Sequence, residues 1–467
     1  MGTLTALLNL SQNALEANQA AIDITSNNVA NANTPGYTDQ VATWQENDTV
    51  SLSGTVGAGE GASVSAVSQR DPVLNQRVQQ QTQLEASSSA ESAALSDVQS
   101  IFGITSTSTS AVSTTIGTDM NSFFNSLNSL EASPSDSSVR QGVLSAAETL
   151  ASDFNTASSQ IAQQTSSLNQ QVSGTVSQVN ALTASIAALN LQIESTSPNS
   201  DAGTLEDQRQ QDLTELSTYV GFDQTKTENN GLTLTTGNGA LLVSEGQSFA
   251  LSTAVANGNT DVISAAGQDI TSGMTGGSLG GILQARGHDL PQVSSALDSL
   301  AYAIGSAVNT QNQSGLDANG NPGAAIFTLP ATSAGAASII ILATSDPSTI
   351  AAASIGEGSS GNTNATALSA LANTTLVNGQ TAPAFYASFL TQLGSTVSRV
   401  SDENTTQQAS LTQLTTQQSS ESSVSLDQEA ANLTQYERSY DAAAKVFTIV
   451  DQLMASALNL GEETTVT

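Results

Sequence analysis

Both ends of the chain carry large hydrophobic residues at intervals of seven, and this pattern restricts the fold more than any other feature. The amino-terminal column is Leu8, Leu15, Ile22 and Val29. The carboxyl-terminal column is Leu426, Leu433, Tyr440, Phe447 and Met454, and Tyr436, Ala443 and Val450 follow its members by three residues. Such a repeat places one face of an α-helix against a partner. Each end therefore predicts a long helix that needs a partner surface, and ordinary bundle packing within the chain is one way to supply it.

The interior predicts a mainly α-helical body with β insertions. Long helical tracts run over 154–193 and 390–414, where Asn404 and Gln407 interrupt the heptad as residues that fix register. Shorter helices are predicted at 73–99, 139–150, 205–219, 279–309 and 366–371. Extended structure is predicted at 41–67, at a hairpin around Gly237-Asn238-Gly239, and in an irregular segment over 314–361.

These elements divide the chain into four proposed units. Residues 1–32 and 425–467 make a terminal helical domain, and 221–267 make a small β domain. The remaining units are a helical bundle domain of residues 33–220, 268–313 and 362–424, with an excursion at 41–67, and a β insertion at 314–361.

Charge and composition exclude several classes of function. The 41 Asp and Glu residues against 9 Lys and Arg give a net charge of -32, which repels nucleic acid and anionic membranes. The absence of Cys excludes disulfides and thiolate metal sites. No basic residue precedes Arg70, so a secretory signal peptide is not expected, and the apolar runs are too short to span a bilayer.

Several motifs contain residues that could bind a ligand or catalyse a reaction, but each has a simpler structural interpretation. Gly57, Gly59 and Ala62 fit a dinucleotide fingerprint but lie in a strand-like region, and Asp317, Asn319 and Asn321 begin a calcium-type loop that is then broken by Pro322. We interpret the second motif as a turn. The pairs Glu206-Asp207 and Asp402-Glu403 are interpreted as solvated helix faces rather than as catalytic carboxylates.

The single histidine, His288, completes the list of candidate groups. With Arg286 and Asp289 it is interpreted as a polar cluster at a helix entry before Pro291. No catalytic constellation, metal site or cofactor site is predicted, so we do not expect an enzyme.

The most informative segment is Ser26–Tyr37, which predicts a stiff joint between a helix and a strand. Asparagine amides can bond to free helix carbonyls and tolerate left-handed backbone, while Pro-Gly enforces a turn. The residues assigned to the joint are Asn27, Asn28, Asn31, Asn33, Pro35, Gly36 and Tyr37.

The joint resembles the Ser-Asn-Asn-hydrophobic-Ala-Asn-x-x-Thr-Pro-Gly-Tyr motif of the bacterial flagellar rod, hook and hook-associated axial proteins. Residues 427–436, continuing through Tyr440 to about Leu460, are similar to the carboxyl-terminal signature of the hook-associated protein 1 family. Interior segments 205–221, 276–286 and 315–327 agree with that family.

The resemblance implies a non-enzymatic structural subunit at the junction of hook and filament. It would self-associate in a tubular layer, contact the hook protein and a second junction protein, and leave the cell through the flagellar type III apparatus to an extracellular position. A flagellar export chaperone would hold the carboxyl-terminal helix. The terminal helices would pair as a coiled coil facing the channel, with the heptad and joint residues named above as assembly contacts, and the inserts would form small outer β domains.

Two further expectations and three alternatives accompany this interpretation. The terminal helices are expected to order when neighbouring subunits bury them, and a further outer domain of larger relatives is expected to be missing between Phe327 and Ile339. Another axial subunit, such as the hook or distal rod protein, is an alternative of the same class. An envelope-tethered enzyme would need His288, and a helical-stalk adhesin would bind ligands through 221–267.

Overall fold

The computed structural model describes residues 2–47, 51–52, 55–56, 61–103, 115–197, 201–358 and 360–463. This part of the chain is mainly helical with small antiparallel sheets, as the sequence predicts. The helices are α1 (Gly2–Asn31), α2 (Pro72–Ile101), α3 (Thr115–Ala132), α4 (Ser137–Thr196), α5 (Thr204–Tyr219), α6 (Gly277–Gln284), α7 (Leu290–Ser314), α8 (Ala336–Ile339), α9 (Thr363–Ala370), α10 (Ala382–Ser422) and α11 (Leu426–Glu463).

Helix α4 is the central element of the body. It has 60 residues and is therefore about 90 Å long at the usual rise per residue. The sequence prediction of separate helices at 139–150 and 154–193 is wrong at this point, because buried Ala151 and Phe154 continue the apolar face without a break. Asp136 caps the helix by accepting a hydrogen bond from the amide of Ser138 at 2.8 Å.

Helix α3 was missed by the sequence analysis. Its apolar residues recur every three or four positions, and the helix packs on α4. The buried members of this face are Ile116, Met120, Phe123, Phe124, Leu127 and Leu130.

Helices α2 and α10 are held in register by polar contacts, as expected for Asn404 and Gln407. The amide of Gln81 donates to the side-chain oxygen of Gln407 at 2.6 Å. Asn404 donates to Ser88 Oγ at 3.3 Å. These two side-chain amide contacts favour the observed alignment of α2 and α10 over one in which the helices are shifted by a turn.

The strands occupy the predicted regions. They are β1 (Gln40–Glu46), β2 (Ser51–Leu52), β3 (Thr55–Val56), β4 (Ala62–Ser68), β5 (Asp223–Lys226), β6 (Leu232–Thr235), β7 (Leu241–Ser244), β8 (Gln247–Ser248), β9 (Ser252–Ala256), β10 (Asn259–Ile263), β11 (Phe327–Thr328) and β12 (Ile341–Leu342). Strands β1 and β4 form the hairpin of the excursion, with Val41 opposite Val67 and Trp44 opposite Val64. Strands β5 to β8 form one antiparallel sheet in sequence order.

One buried cluster connects the helical body with the β segments. Leu234, Val243 and Val262 of the sheets belong to it, and the rings of Phe123 and Phe327 lie 5.8 Å apart within it. The inserts therefore share their apolar core with α3 and α4. The domain boundaries given above stay a prediction.

The predicted helix over 279–309 is confirmed as continuous helical backbone, but it contains a π-helical turn that the sequence did not indicate. A π-helical turn, Ala285–Asp289, connects α6 to α7, and Pro291 is the second residue of α7. The amide of Leu290 donates to the carbonyl of Ala285 five residues earlier, and Pro291, which has no amide proton, lies directly after this turn.

The structure also locates the loop motifs. Asp317 accepts hydrogen bonds from the amides of Asn319 and Asn321, both at 2.8 Å, so the calcium-type sequence forms a turn as predicted. Gly57 and Gly59 of the dinucleotide-type motif lie outside the described residues, and Ala62 begins β4.

Candidate functional site

The terminal helices α1 and α11 pack against each other. Asn28, near the end of α1, bonds to Glu429, near the start of α11, so the two helices run antiparallel. Small residues line the contact on α1, where Ala17 and Ala21 are buried, and Val450 is buried on α11. Small side chains allow the two backbones to approach closely, which explains why the sequence of α1 has few bulky apolar residues.

The predicted heptad residues are covered to different degrees. Those that are half-buried are Leu8, Leu15, Ile22, Leu433, Tyr436, Tyr440, Phe447 and Met454. Val29 and Leu426, at one end of the pair, are exposed to 44% and 53%. Within this chain the heptad residues of α1 and α11 are thus only partly buried.

A second apolar face of α11 was missed by the sequence analysis. Val446, Ile449 and Leu453 are spaced by three and four residues and are exposed to 49%, 57% and 53%. At this spacing they share one side of the helix, next to the side that contacts α1. The signal was present in the sequence but was masked by the stronger heptad beside it. Three aligned, exposed aliphatic side chains are typical of a contact surface.

The elbow, residues 32–39, connects α1 to β1. The amide of Thr34 donates to the carbonyl of Asn31 at 2.8 Å, and that of Tyr37 donates to Thr34 at 3.2 Å. Pro35 and Asn33 are exposed, and Gly36 has φ of +80°. A Cβ at Gly36 would meet nothing nearer than 3.7 Å, so the backbone angle, not space, requires glycine.

Asn28 is the centre of the elbow, and its side chain is completely buried. Its amide donates to Asp39 Oδ1 at 2.7 Å, to the carbonyl of Gln40 at 2.8 Å and to Glu429 Oε2 at 3.1 Å. Its oxygen accepts from the Tyr37 hydroxyl at 2.8 Å and from the amide of Gln40 at 3.1 Å. We call these five residues the Asn28 network. It joins α1, the elbow, β1 and α11 at one side chain.

The other asparagines of the motif have lesser roles. Asn31 donates to the carbonyl of Asn27 at 3.0 Å, one helical turn earlier. Asn27 and Asn33 are exposed. The sequence assigned all four asparagines to the joint, and the structure brings only Asn28 into its buried centre.

Burial and negative charge determine the protonation chemistry of the Asn28 network. Burial, followed by the charges of Asp207, Asp39 and Glu429, raises the pKa of Tyr37 to about 12. Burial and the charge of Glu429 raise the pKa of Asp39 above its usual value. The Tyr37 hydroxyl consequently keeps its proton, and its hydrogen bond to Asn28, at pH values at which an ordinary tyrosine ionises.

A second cluster fastens the elbow to α5. Arg70 bonds to Glu206 Oε2 at 2.6 Å and to oxygens of Asp201 and Asp207 at 3.0 Å, and it also donates to the carbonyl of Gly203. We call these five residues the Arg70 cluster.

Interpreting Glu206-Asp207 as a solvated face was wrong for this pair. Asp207 is only 7% exposed and accepts from the hydroxyl of Thr38 at 2.7 Å as well as from Arg70. The cause is the cation of Arg70, which precedes α2 and lies 136 positions from Glu206 along the chain, so no local pattern indicates it. Asp402 and Glu403 are exposed, as predicted.

Neither metal-binding nor membrane-spanning features emerge from the described ranges. No group of three or more potential metal-binding side chains is found among them. None of the helices within them combines the length and apolar character needed to cross a bilayer.

The two ends of the chain indicate its class, because both match models of flagellar axial proteins. Models of the flagella basal body rod protein and of the carboxyl-terminal region of flagellar basal body rod FlgEFG proteins match residues 8–38 and 416–460. These matches include most of α1, the elbow and α11.

The interior identifies the family within that class. The model of the helical domain of flagellar hook-associated protein FlgK matches residues 95–327. The flagellar hook-associated protein 1 of Escherichia coli K12 is 30% identical over 70% of this chain, and that of Bacillus subtilis 168 is 27% identical over 97% of both chains. The chain belongs to the flagellar hook-associated protein 1 family.

The extent of the similarity differs between relatives. The chain matches 60% of the length of the relatives from Escherichia coli and Salmonella typhimurium. Its fold is similar to that of the flagellar hook junction protein FlgK from Burkholderia pseudomallei, with a TM-score of 0.67, 20% identity, and coverage of 75% of this chain and 100% of that one. At this identity the likeness concerns the fold.

Proposed function

We propose that the chain is a structural subunit that joins the flagellar hook to the flagellin filament. The observation that carries the proposal is the apolar face of Val446, Ile449 and Leu453, which lies exposed beside the paired terminal helices. A helix pair with a free apolar face is suited to burial between copies of the chain. The names of the relatives, hook-associated protein 1 and hook junction protein, support the same role.

In this proposal the terminal helices build a tubular layer by self-association. The half-buried heptad residues, with exposed Val29 and Leu426, are covered further by neighbouring subunits. The Asn28 network and the Arg70 cluster fix the angle between the helix pair and the body, so that every subunit presents its faces in the same way. The hook protein and a second junction protein contact the two ends of this layer.

The proposal includes a route to the extracellular position. The subunit leaves the cell through the flagellar type III apparatus, and an export chaperone covers α11 beforehand. The exposed face of α11 gives such a chaperone an apolar surface to bind. The role is structural rather than catalytic, and it requires no cofactor.

A hook or distal rod protein is the second candidate, since the elbow and the carboxyl-terminal helix match rod-protein models as well. The match of residues 95–327 to the helical domain of a hook-associated protein favours the junction role.

The test replaces Val446, Ile449 and Leu453 together by serine in a strain whose own junction gene is deleted. The expected result is an intact hook without a filament and flagellin spilled into the medium, while the unchanged chain restores filaments. Electron microscopy of cells and immunoblots of the medium give the two readouts.

The matched control replaces exposed apolar residues elsewhere, with Val255→Ser and Ile355→Ser in one chain. These side chains are exposed to 78% and 81%. The control is expected to restore filaments fully. Normal filaments in the deletion strain itself would overturn the junction role, and normal filaments with the triple serine variant would overturn the role of this face.

A further inference from the structure

The chain contains five Asn-Gly pairs, and the structure holds them in two different ways. Asparagine is a chemically labile residue, and a following glycine increases the lability because it has no Cβ to keep its amide nitrogen from the asparagine side chain. In a folded protein the reaction also depends on whether that nitrogen and that side chain are free to move. The pairs begin at Asn230, Asn238, Asn257, Asn319 and Asn378.

In three of the pairs the attacking group, the glycine amide, is held by the backbone. It donates a hydrogen bond to the carbonyl of the residue three positions earlier, and this bond must break before the nitrogen can attack. The side chains of Asn230 and Asn238 also have partners, the carbonyl of Ser197 at 2.9 Å and the hydroxyl of Thr236. The glycines held in this way are Gly231, Gly239 and Gly320, with distances of 3.2, 2.8 and 3.2 Å.

The other two pairs form tight turns in which neither group is held. Asn257 and Gly258 connect β9 to β10 with φ of +51° and +82°, and Asn378 and Gly379 form a similar turn with φ of +47° and +76°. Positive φ at both central residues is typical of a type I′ turn. All four residues are exposed, and within the described chain neither the asparagine side chains nor the glycine amides have a hydrogen-bond partner.

We propose that Asn257 and Asn378 deamidate spontaneously in the folded protein, whereas the other three asparagines are protected. The glycine nitrogen loses its proton to solvent and bonds to Cγ of the asparagine, the bond from Cγ to Nδ2 breaks, and the departing group takes a proton and leaves as ammonia. Water then opens the resulting succinimide ring at either carbonyl, which gives aspartate or isoaspartate. The net reaction consumes water and releases ammonia, so it needs no other reactant, and it does not depend on the junction role.

The turn at Asn257 permits the rotation that the attack requires. All five residues of β9 are exposed, so this hairpin lies at the surface of the body. The peptide unit between Asn257 and Gly258 makes no hydrogen bond through its carbonyl or its amide to any described residue. It can therefore turn toward the side chain without breaking a contact. The peptide unit between Asn378 and Gly379 is free in the same way.

Isoaspartate at position 257 would disturb the attachment of the hairpin to α4. The amide of Asn169 on α4 donates to the carbonyl of Gly258 at 3.0 Å. Its oxygen accepts from the amide of Thr260 at 2.9 Å and from Arg286 at 3.0 Å. Isoaspartate adds a carbon atom to the main chain directly before Gly258, which moves this carbonyl away from Asn169. Aspartate keeps the original main chain and should keep the attachment.

The first experiment incubates the full-length protein in mildly alkaline water enriched in a heavy oxygen isotope. Peptide mass spectrometry then measures conversion at all five pairs, because oxygen from the labelled water marks residues that reacted during the incubation. We expect Asn257 and Asn378 to react roughly tenfold or more faster than Asn238, where the glycine amide must first break a hydrogen bond. The matched control is the same protein in urea, where these hydrogen bonds are lost and all five pairs should react.

The protected pairs provide an internal reference for the outcome. Equal rates at Asn238 and Asn257 in the folded protein would overturn the proposal, and so would reaction in urea with none at Asn257 and Asn378 in the folded protein. Reaction at one of these two alone would overturn the assignment of the other. Asn257→Gln, at an exposed position, should abolish conversion there and leave the rate at Asn378 unchanged.

Amide hydrogen exchange at Thr260 tests the effect on the hairpin. Molecules with isoaspartate at position 257, identified with an isoaspartate methyltransferase, should exchange this amide roughly tenfold faster than fresh protein, because its hydrogen bond to Asn169 is weakened. Asn257→Asp supplies the charge without the extra carbon atom and should exchange at the original rate. Equal exchange in the isoaspartate form and in Asn257→Asp would overturn this effect, while the rates at the five pairs judge the deamidation separately.

Discussion

Replacement of Asn28 by alanine tests the elbow at its centre. The change leaves the Tyr37 hydroxyl and both backbone groups of Gln40 without the partner they have now. A buried polar group without a partner costs ~1–3 kcal/mol. Because water reaches part of the opened site, we expect a total near the lower end, about 3 kcal/mol for the three groups. That corresponds to a roughly 100-fold larger equilibrium constant for opening the elbow.

Amide hydrogen exchange measures this opening directly. The amide of Asp39 donates to the carbonyl of Ser422 at 2.9 Å, and that of Gln69 donates to the carbonyl of Asp39 at 2.8 Å. Neither bond involves Asn28, so faster exchange at these positions reports loss of the elbow rather than loss of the altered side chain. The control is Asn33→Ala, in the same motif but at an exposed position. Equal exchange in the two variants would refute the reasoning.

Four more changes have measurable outcomes. Arg70→Met leaves three carboxylates without their shared cation and should lower the free energy of unfolding by about 3 kcal/mol in urea titrations, whereas exposed Arg77→Met should change it little. The pKa of Tyr37 is raised to about 12 in the folded state, so the stability that its neutral hydroxyl contributes is complete below pH 10 and is lost as the pH rises from 10 to 12. Tyr37→Phe should therefore lose stability less steeply between pH 10 and 12, as measured by circular dichroism. Gly36→Ala should destabilise by about 1–2 kcal/mol because φ is positive, and Gly142→Ala, inside α4 with open space around it, should stabilise by about 0.5–1 kcal/mol in thermal unfolding.

Local periodicity was sufficient for the elements that bury one regular face. The terminal helices, α10 and the β1–β4 hairpin follow from it, because a period of 3.5 or 2 residues is a property of the nearby sequence. The continuity of α4 was harder to see, since Ala151, Ser152 and Asp153 place no bulky apolar residue between the two predicted helices. Small residues that pack well leave a weak signal in the sequence.

The contacts of the candidate site depend on distant partners, and sequence reasoning could not supply these. The motif located the joint, but four asparagines look alike in a sequence, and only burial against Glu429 distinguishes Asn28. In the same way, Glu206-Asp207 looked solvated until the fold placed Arg70 between the carboxylates. A charge is interpretable only with its partner, and here the partners come from other elements.

The bond between Asn28 and Glu429 spans 401 positions of the chain. During synthesis Asn28, Tyr37, Asp39 and Gln40 are present long before Glu429, so the four bonds within residues 28–40 can form first and the bond to α11 is added last. A product that stops before Glu429 retains the body of the protein but leaves Asn28 one bond short. The bond to Glu429 thus adds α11 to a joint whose other contacts all lie within thirteen consecutive residues, 28–40.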